Sequence, residues 1–226
     1  MVNSLTKRQA VIFDVDGVLV DSYEAHLRSW QSIAREEGVK FTEDDFAASF
    51  GRTSREIVQR CWGIDDEVRI RAIDDRKESL YRQIVADHFP VMDGATELID
   101  AMKSADFALA MGSSGPPENL QVALDGLGRR DAFSAIVSGM DVHRGKPDPE
   151  VFLVAAKRLG VPPSLCAVVE DAPAGVQAAH AAGMACVVLL SRGRKAADFA
   201  GLQPQLMVHS LRDLTPELIG RLIAST

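Results

Sequence analysis

Short apolar runs recur along the chain, each followed by small or turn-forming residues and then by a helix-period pattern. They run from Ala10 to Phe13, Phe107 to Met111, Ala135 to Val137, Cys166 to Val169 and Ala185 to Leu190, with a weaker sixth from Leu206 to His209. Runs this short and this apolar suit strands buried on both faces of a parallel sheet. Their alternation with helical stretches predicts a doubly wound α/β fold.

One region breaks the rhythm. Between Ser22 and Phe89 the pattern is helical throughout. Glu24 to Glu37 reads as an amphipathic helix with His26, Trp30 and Ile33 on one face. Thr53-Ser54-Arg55-Glu56 reads as a capping box that opens a second helix. Glu67 to Val85 is a longer helical stretch without proline. The expectation is an all-helical insert at 21–89, with the α/β core formed by 1–20 and 90–226. Pro90 and an Asp93-Gly94 turn return the chain to the core.

Size and composition fit this picture. The chain has 226 residues, 46% hydrophobic and 25% charged, enough to bury a core and a small accessory domain. A formal net charge of -7 disfavours nucleic acid and anionic membranes as partners. The three cysteines, Cys61, Cys166 and Cys186, fit neither a zinc site nor a disulfide framework and read as reduced thiols. Lys7 and Arg8 precede an apolar run too short for a signal-peptide core, and no stretch is long enough to span a bilayer. A cytoplasmic protein is expected, as a monomer or weak homodimer.

Four strand ends carry polar groups, and strand C-terminal ends are where doubly wound sheets place their chemistry. The first is Asp14-Val15-Asp16-Gly17. Residues two apart in a strand share a side, so Asp14 and Asp16 would aim two carboxylates at one spot and call for a cation. The bland alternative is a solvated turn. The second is Gly112-Ser113-Ser114-Gly115-Pro116-Pro117, whose hydroxyls and backbone N–H groups ahead of a helix could cradle an anion, or merely cap the helix. The third is Gly145-Lys146-Pro147-Asp148-Pro149, where stiff neighbours hold Lys146 just ahead of a helix. The fourth is Glu170-Asp171-Ala172-Pro173. Its adjacent carboxylates suit a hard cation with oxygen ligands, with an Asp171 N-cap as the alternative.

The order Asp-x-Asp, Ser, Lys, Glu-Asp, each at a strand end, resembles the haloacid-dehalogenase-like (HAD) phosphohydrolase superfamily. The helical insert resembles the small cap domain of its β-phosphoglucomutase and phosphoglycolate-phosphatase branch. The resemblance implies a Rossmann-like parallel-sheet core with an inserted all-helical cap domain, and hydrolysis of a small phosphate ester. It also implies roles. Asp14 would be the nucleophile and Asp16 the general acid and base. Ser113, Ser114 and Lys146 would bind phosphoryl oxygens, with Lys146 also steadying the Asp14 carboxylate. Mg2+ would be held by Asp14, the Asp16 carbonyl and Asp171, with Glu170 as a ligand or supporting group. The presence of Asp16 favours phosphoryl transfer over dehalogenation.

In the cap, Arg55 falls in the first turn of its helix, where the dipole disfavours a cation and an anionic substrate group could compensate. Arg55 and Lys77 match positions where the phosphoglucomutase branch contacts a distal phosphate, and His26 matches a position near the hinge. The bland readings are screened surface cations and a histidine packed beside Trp30. The nearest rival function is a sugar-phosphate mutase. In the resemblance that activity relies on a lysine before the cap-loop glycine, whereas here Phe50 precedes Gly51. A phosphonate-cleaving relative, a signalling receiver domain and a non-catalytic phospho-ligand binding protein each fit fewer of the features.

Overall fold

The computed structural model describes residues 8–49 and 53–226. Lys7, and the Phe50–Gly51 pair that bears on the mutase alternative, lie outside the described residues. Six strands form one parallel sheet: β1 (Ala10–Phe13), β2 (Ala108–Gly112), β3 (Ala135–Val137), β4 (Cys166–Glu170), β5 (Ala185–Leu189) and β6 (Leu206–Val208). Their order is β3-β2-β1-β4-β5-β6. The chain builds outward from β1 in one direction, then crosses back to start again at β4. The adjacent pair β1 and β4 is therefore the topological switch point, where ligands bind in open α/β sheets. In register, Ala10 pairs with Ala108 on one side and with Cys166 on the other.

Every residue of β1, β2, β4 and β5 is buried, which explains their unbroken apolar character. On one face Ala10, Ile12, Ala110, Val168 and Val188 pack with α7 (Glu150–Leu159) and α8 (Pro173–Ala181). Alternate positions such as Val11, Leu109 and Val169 point to the other face. There α5 (Ala95–Ser104) packs on β2, and α9 (Pro216–Ala224) on β4. The connection from β2 to β3 runs through α6 (Pro117–Leu127).

The chain divides into two compact units. One is 1–20 with 91–226; the other is 21–90. The boundary falls one residue later than the sequence reading places it. Pro90 belongs with the helical unit, where its carbonyl accepts the Asp21 N–H at 2.9 Å. The sheet-bearing unit resumes at Val91, which bridges Val20, and Gly94 (φ 82) then opens α5.

The helical unit contains α1 (Tyr23–Glu36), α2 (Glu43–Ser49), α3 (Ser54–Trp62) and α4 (Glu67–Asp87). The capping box is present: Thr53 accepts from the Glu56 N–H, and the Glu56 side chain accepts from the Thr53 N–H. Trp30, Ile33, Phe41, Phe46, Ile57, Ile70 and Ile73 form this unit's own core. The sequence reading does not anticipate α2. Its seven residues contain three acids and one large apolar anchor, Phe46, too little for periodicity to show.

Candidate active site

The switch point gathers charge. Asp14 follows β1 directly, and its N–H extends the ladder to Val169 O at 2.9 Å. Glu170 is the last residue of β4, and Asp171 comes next. Oxygens of Asp14, Glu170 and Asp171 lie within 4.8 Å of one another, and all three residues are buried. Three buried carboxylates this close repel unless cations offset them.

Lys146 supplies one cation. Its Nζ donates to Asp14 Oδ1 at 2.7 Å and to Glu170 Oε1 at 2.6 Å, and sits over the Phe152 ring, 4.9 Å from its centroid. Its side chain is 8% exposed, so these contacts replace water. Burial opposes the ammonium's charge, but the Asp14 and Glu170 carboxylates outweigh it and hold Lys146 above its usual range. The loop before α7 fixes this lysine. The Glu150 carboxylate accepts the His143 and Arg144 N–H groups, Asp148 N–H donates to Gly145 O, and the Asp148 carboxylate accepts the Glu150 N–H. Pro149 occupies the N-cap position of α7.

Glu170 has every side engaged. Besides Lys146, its other oxygen accepts the Asp171 and Ala172 N–H groups at 2.8 and 2.7 Å. Asp171 does not cap a helix: α8 begins at Pro173, with Ala172 at the N-cap position. The Asp171 carboxylate turns into the site instead. There it meets Gly17, where an added Cβ would lie 2.1 Å from Oδ2. Gly17 also has φ +77, so both its backbone and its bare Cα are needed at this turn.

Burial drives the titration behaviour. It raises the Asp14 carboxyl well above its ordinary value; Lys146 pulls it down, while Glu170 and Asp171 add to the rise. Asp171 is pushed up to about 6, first by burial, with Arg194 opposing and Glu170 reinforcing. A divalent cation would relieve both. The donor set of hard carboxylate oxygens, buried and in charge excess, fits such an ion.

The remaining sequence candidates are placed as follows. Ser113 continues β2 with its N–H on Val137 O at 3.0 Å; its side chain is buried, and its Oγ accepts the Gly115 N–H at 3.0 Å. Ser114 is exposed, and its carbonyl crowds Gly139, which has no room for a Cβ. Asp16 is half-buried, and its backbone bridges Val20. The three-carboxylate cluster does not include the Asp16 side chain.

In the helical unit, Arg55 forms a bidentate ion pair with Glu67, so the countercharge for this helix-start cation comes from the first turn of α4. Lys77 is not a surface cation. Its side chain is 4% exposed, its Nζ lies 2.8 Å from His26 Nδ1 and 2.7 Å from Glu78 Oε1, and it sits over Trp30 and Tyr81. His26 stacks on Tyr81, with centroids 4.1 Å apart and planes 9° off parallel.

Two polar contacts escape the sequence reading. Ser191 Oγ donates to Asp171 Oδ2 at 2.8 Å, and Arg194 Nε lies 3.6 Å from the same oxygen. Both come from the loop after β5. Applying the strand-end rule to that run as well would have drawn attention to them.

The haloacid dehalogenase-like hydrolase family profile matches residues 9–183, which include all four strand-end motifs. The chain belongs to this family. It is 33% identical over 186 residues to 5-amino-6-(5-phospho-D-ribitylamino)uracil phosphatase of Arabidopsis thaliana, covering 80% of this chain but 49% of that protein. The chain thus spans about half the length of that relative. It is 32% identical over 219 residues to β-phosphoglucomutase of Bacillus subtilis, covering 93% of each. Among solved structures, a family IA HAD hydrolase from Entamoeba histolytica superposes with a TM-score of 0.87 at 26% identity, covering 96% of this chain and 99% of that one. Among the described residues, no helix is long and apolar enough to cross a membrane.

Proposed function

We propose that this HAD-family protein is a magnesium-dependent hydrolase of small phosphate monoesters, such as sugar phosphates or phosphoglycolate-like esters, acting in the cytoplasm through an aspartyl-phosphate. The observation that carries the reading is the Lys146 bridge between Asp14 and Glu170 at the switch point. It aims a carboxylate at a strand end, beside a cluster that needs a cation.

In this reading an Asp14 oxygen attacks phosphorus, and the ester P–O bond breaks with its electron pair on the departing oxygen. Asp16 donates a proton to that oxygen. Water then attacks phosphorus, Asp16 takes the water's proton, and the bond to Asp14 breaks to release inorganic phosphate and the free carboxylate. Lys146 steadies Asp14, and with Ser113 and Ser114 it binds the phosphoryl oxygens. Asp14, the Asp16 carbonyl and Asp171 would hold Mg2+, with Glu170 supporting. Bound there, the ion would offset the repulsion between an anionic nucleophile and an anionic phosphate. The helical unit would select the substrate through Arg55, Lys77 and His26.

Phosphate release from a panel of small esters, with Mg2+ and with EDTA, on wild type and Asp14→Asn tests this reading. Mg2+-dependent release that disappears in the variant supports it; equal rates in both proteins refute it. The near full-length match to a β-phosphoglucomutase keeps a mutase as the second reading. Isomerisation of a sugar phosphate without net phosphate release would select it.

A further inference from the structure

The loop after β5 does something the four motifs do not. Ser191 and Arg194 are the first and last residues of a four-residue turn, closed by Arg194 N–H on Ser191 O at 3.0 Å. Gly193, the third residue, has φ 85, the left-handed conformation that a type II turn requires there. The turn therefore delivers two side chains to one place. The Ser191 hydroxyl donates to Asp171 Oδ2, and the Arg194 guanidinium lies beside the same oxygen. The Arg194 side chain is only 7% exposed. A cation that dry needs a carboxylate near it.

Charge adds to the geometry. Two buried cations, Lys146 and Arg194, lie against the three clustered carboxylates. Lys146 serves Asp14 and Glu170. Arg194 serves Asp171.

We propose that Ser191 and Arg194 form a two-part control on the divalent-cation site, in which Ser191 positions the Asp171 carboxylate while Arg194 acts as an internal counter-ion that weakens cation binding. Neither is a catalytic residue; both act through Asp171. The inference rests on the cation reading given above. Its signature is a pair of opposite effects. Losing the hydroxyl frees the carboxylate and loosens the ion. Losing the guanidinium removes a positive charge near the ion and tightens it. A purely structural turn would shift both variants the same way.

The test is calorimetric titration of the full chain with MgCl2 alone, without substrate, for wild type, Ser191→Ala, Arg194→Gln and Arg194→Lys. The expected result is an Mg2+ Kd roughly tenfold lower in Arg194→Gln, several-fold higher in Ser191→Ala, and near wild type in Arg194→Lys. Thermal melts with and without Mg2+ show whether each variant is folded, and the Mg2+-induced rise in Tm should be largest for Arg194→Gln. If wild type binds Mg2+ and Arg194→Gln binds it equally or more weakly, the inference is overturned and the cation reading stands. If wild type shows no Mg2+ binding, both fall. Should Arg194→Gln fail to fold, Arg194→Met tests the same point while leaving the turn and Ser191 in place, and an unchanged or higher Kd there would overturn the counter-ion role.

Discussion

The Glu170 carboxylate rests against the bare Cα of Gly175. A Cβ added at Gly175 would lie 1.8 Å from Oε1 and 1.9 Å from Cδ. The carboxylate has nowhere to retreat, because Lys146 and two backbone N–H groups hold both oxygens. Glycine in the first turn of α8 is therefore part of how Lys146 is aimed at Asp14.

Gly175→Ala should displace Glu170 by about an ångström and carry Lys146 with it. Misplacement on that scale costs about 10²-fold in rate. The expected outcome is such a loss in kcat with a folded protein by circular dichroism. Unchanged kcat would mean that Glu170 does not position Lys146.

Lys146→Met should remove a cation shared by Asp14 and Glu170 and leave both carboxylates buried without it. Breaking a buried pair from one side costs about 3–5 kcal/mol. Urea unfolding in EDTA should show a loss of that order, and Mg2+ should restore part of it.

The sequence makes the sheet legible because β1, β2, β4 and β5 are buried on both faces and leave uninterrupted apolar runs. The Thr53–Glu56 box is legible because capping is local chemistry. Burial decided by distant contacts is not. The sequence allows Lys77 to be a screened surface cation, yet it is buried because α1 brings His26 and Trp30 against it. Likewise, Arg55 gives no sign in its own helix that Glu67 is its partner. The strand-end motifs mark Asp14, Lys146, Glu170 and Asp171 as candidates, but not that Lys146 joins two of them. That follows from the path of the loop before α7.

The raised Asp171 pKa carries a pH dependence with a definite sign. A carboxyl moved from 3.8 to about 6 on folding binds more protons in the folded state between those values. Stability of the cation-free protein should therefore fall as pH rises from about 4 to 6, and the loss should level off above. Unfolding in EDTA at pH 5 and pH 7 should show wild type less stable at pH 7, with that difference reduced in Asp171→Asn. A wild type equally stable at both values would contradict the assignment.

Asp16→Asn should lower kcat by about 10²–10⁴-fold, the range for loss of a positioned acid and base. The Mg2+ Kd should hardly change, because the proposed ligand from this residue is its carbonyl. Titration with MgCl2 beside steady-state assays separates the two effects, and a large loss of Mg2+ affinity would instead place the Asp16 carboxylate on the ion.

The central claim is that phosphate passes through Asp14. The most direct measurement is rapid acid quench during turnover of the best ester, followed by proteolysis and mass spectrometry of the peptide carrying Asp14 to Ser22. The account predicts a phosphoryl group on Asp14 that forms at least as fast as product and is absent from Asp14→Asn. Full turnover with no phosphoryl group on Asp14, or with one on another residue, would contradict it.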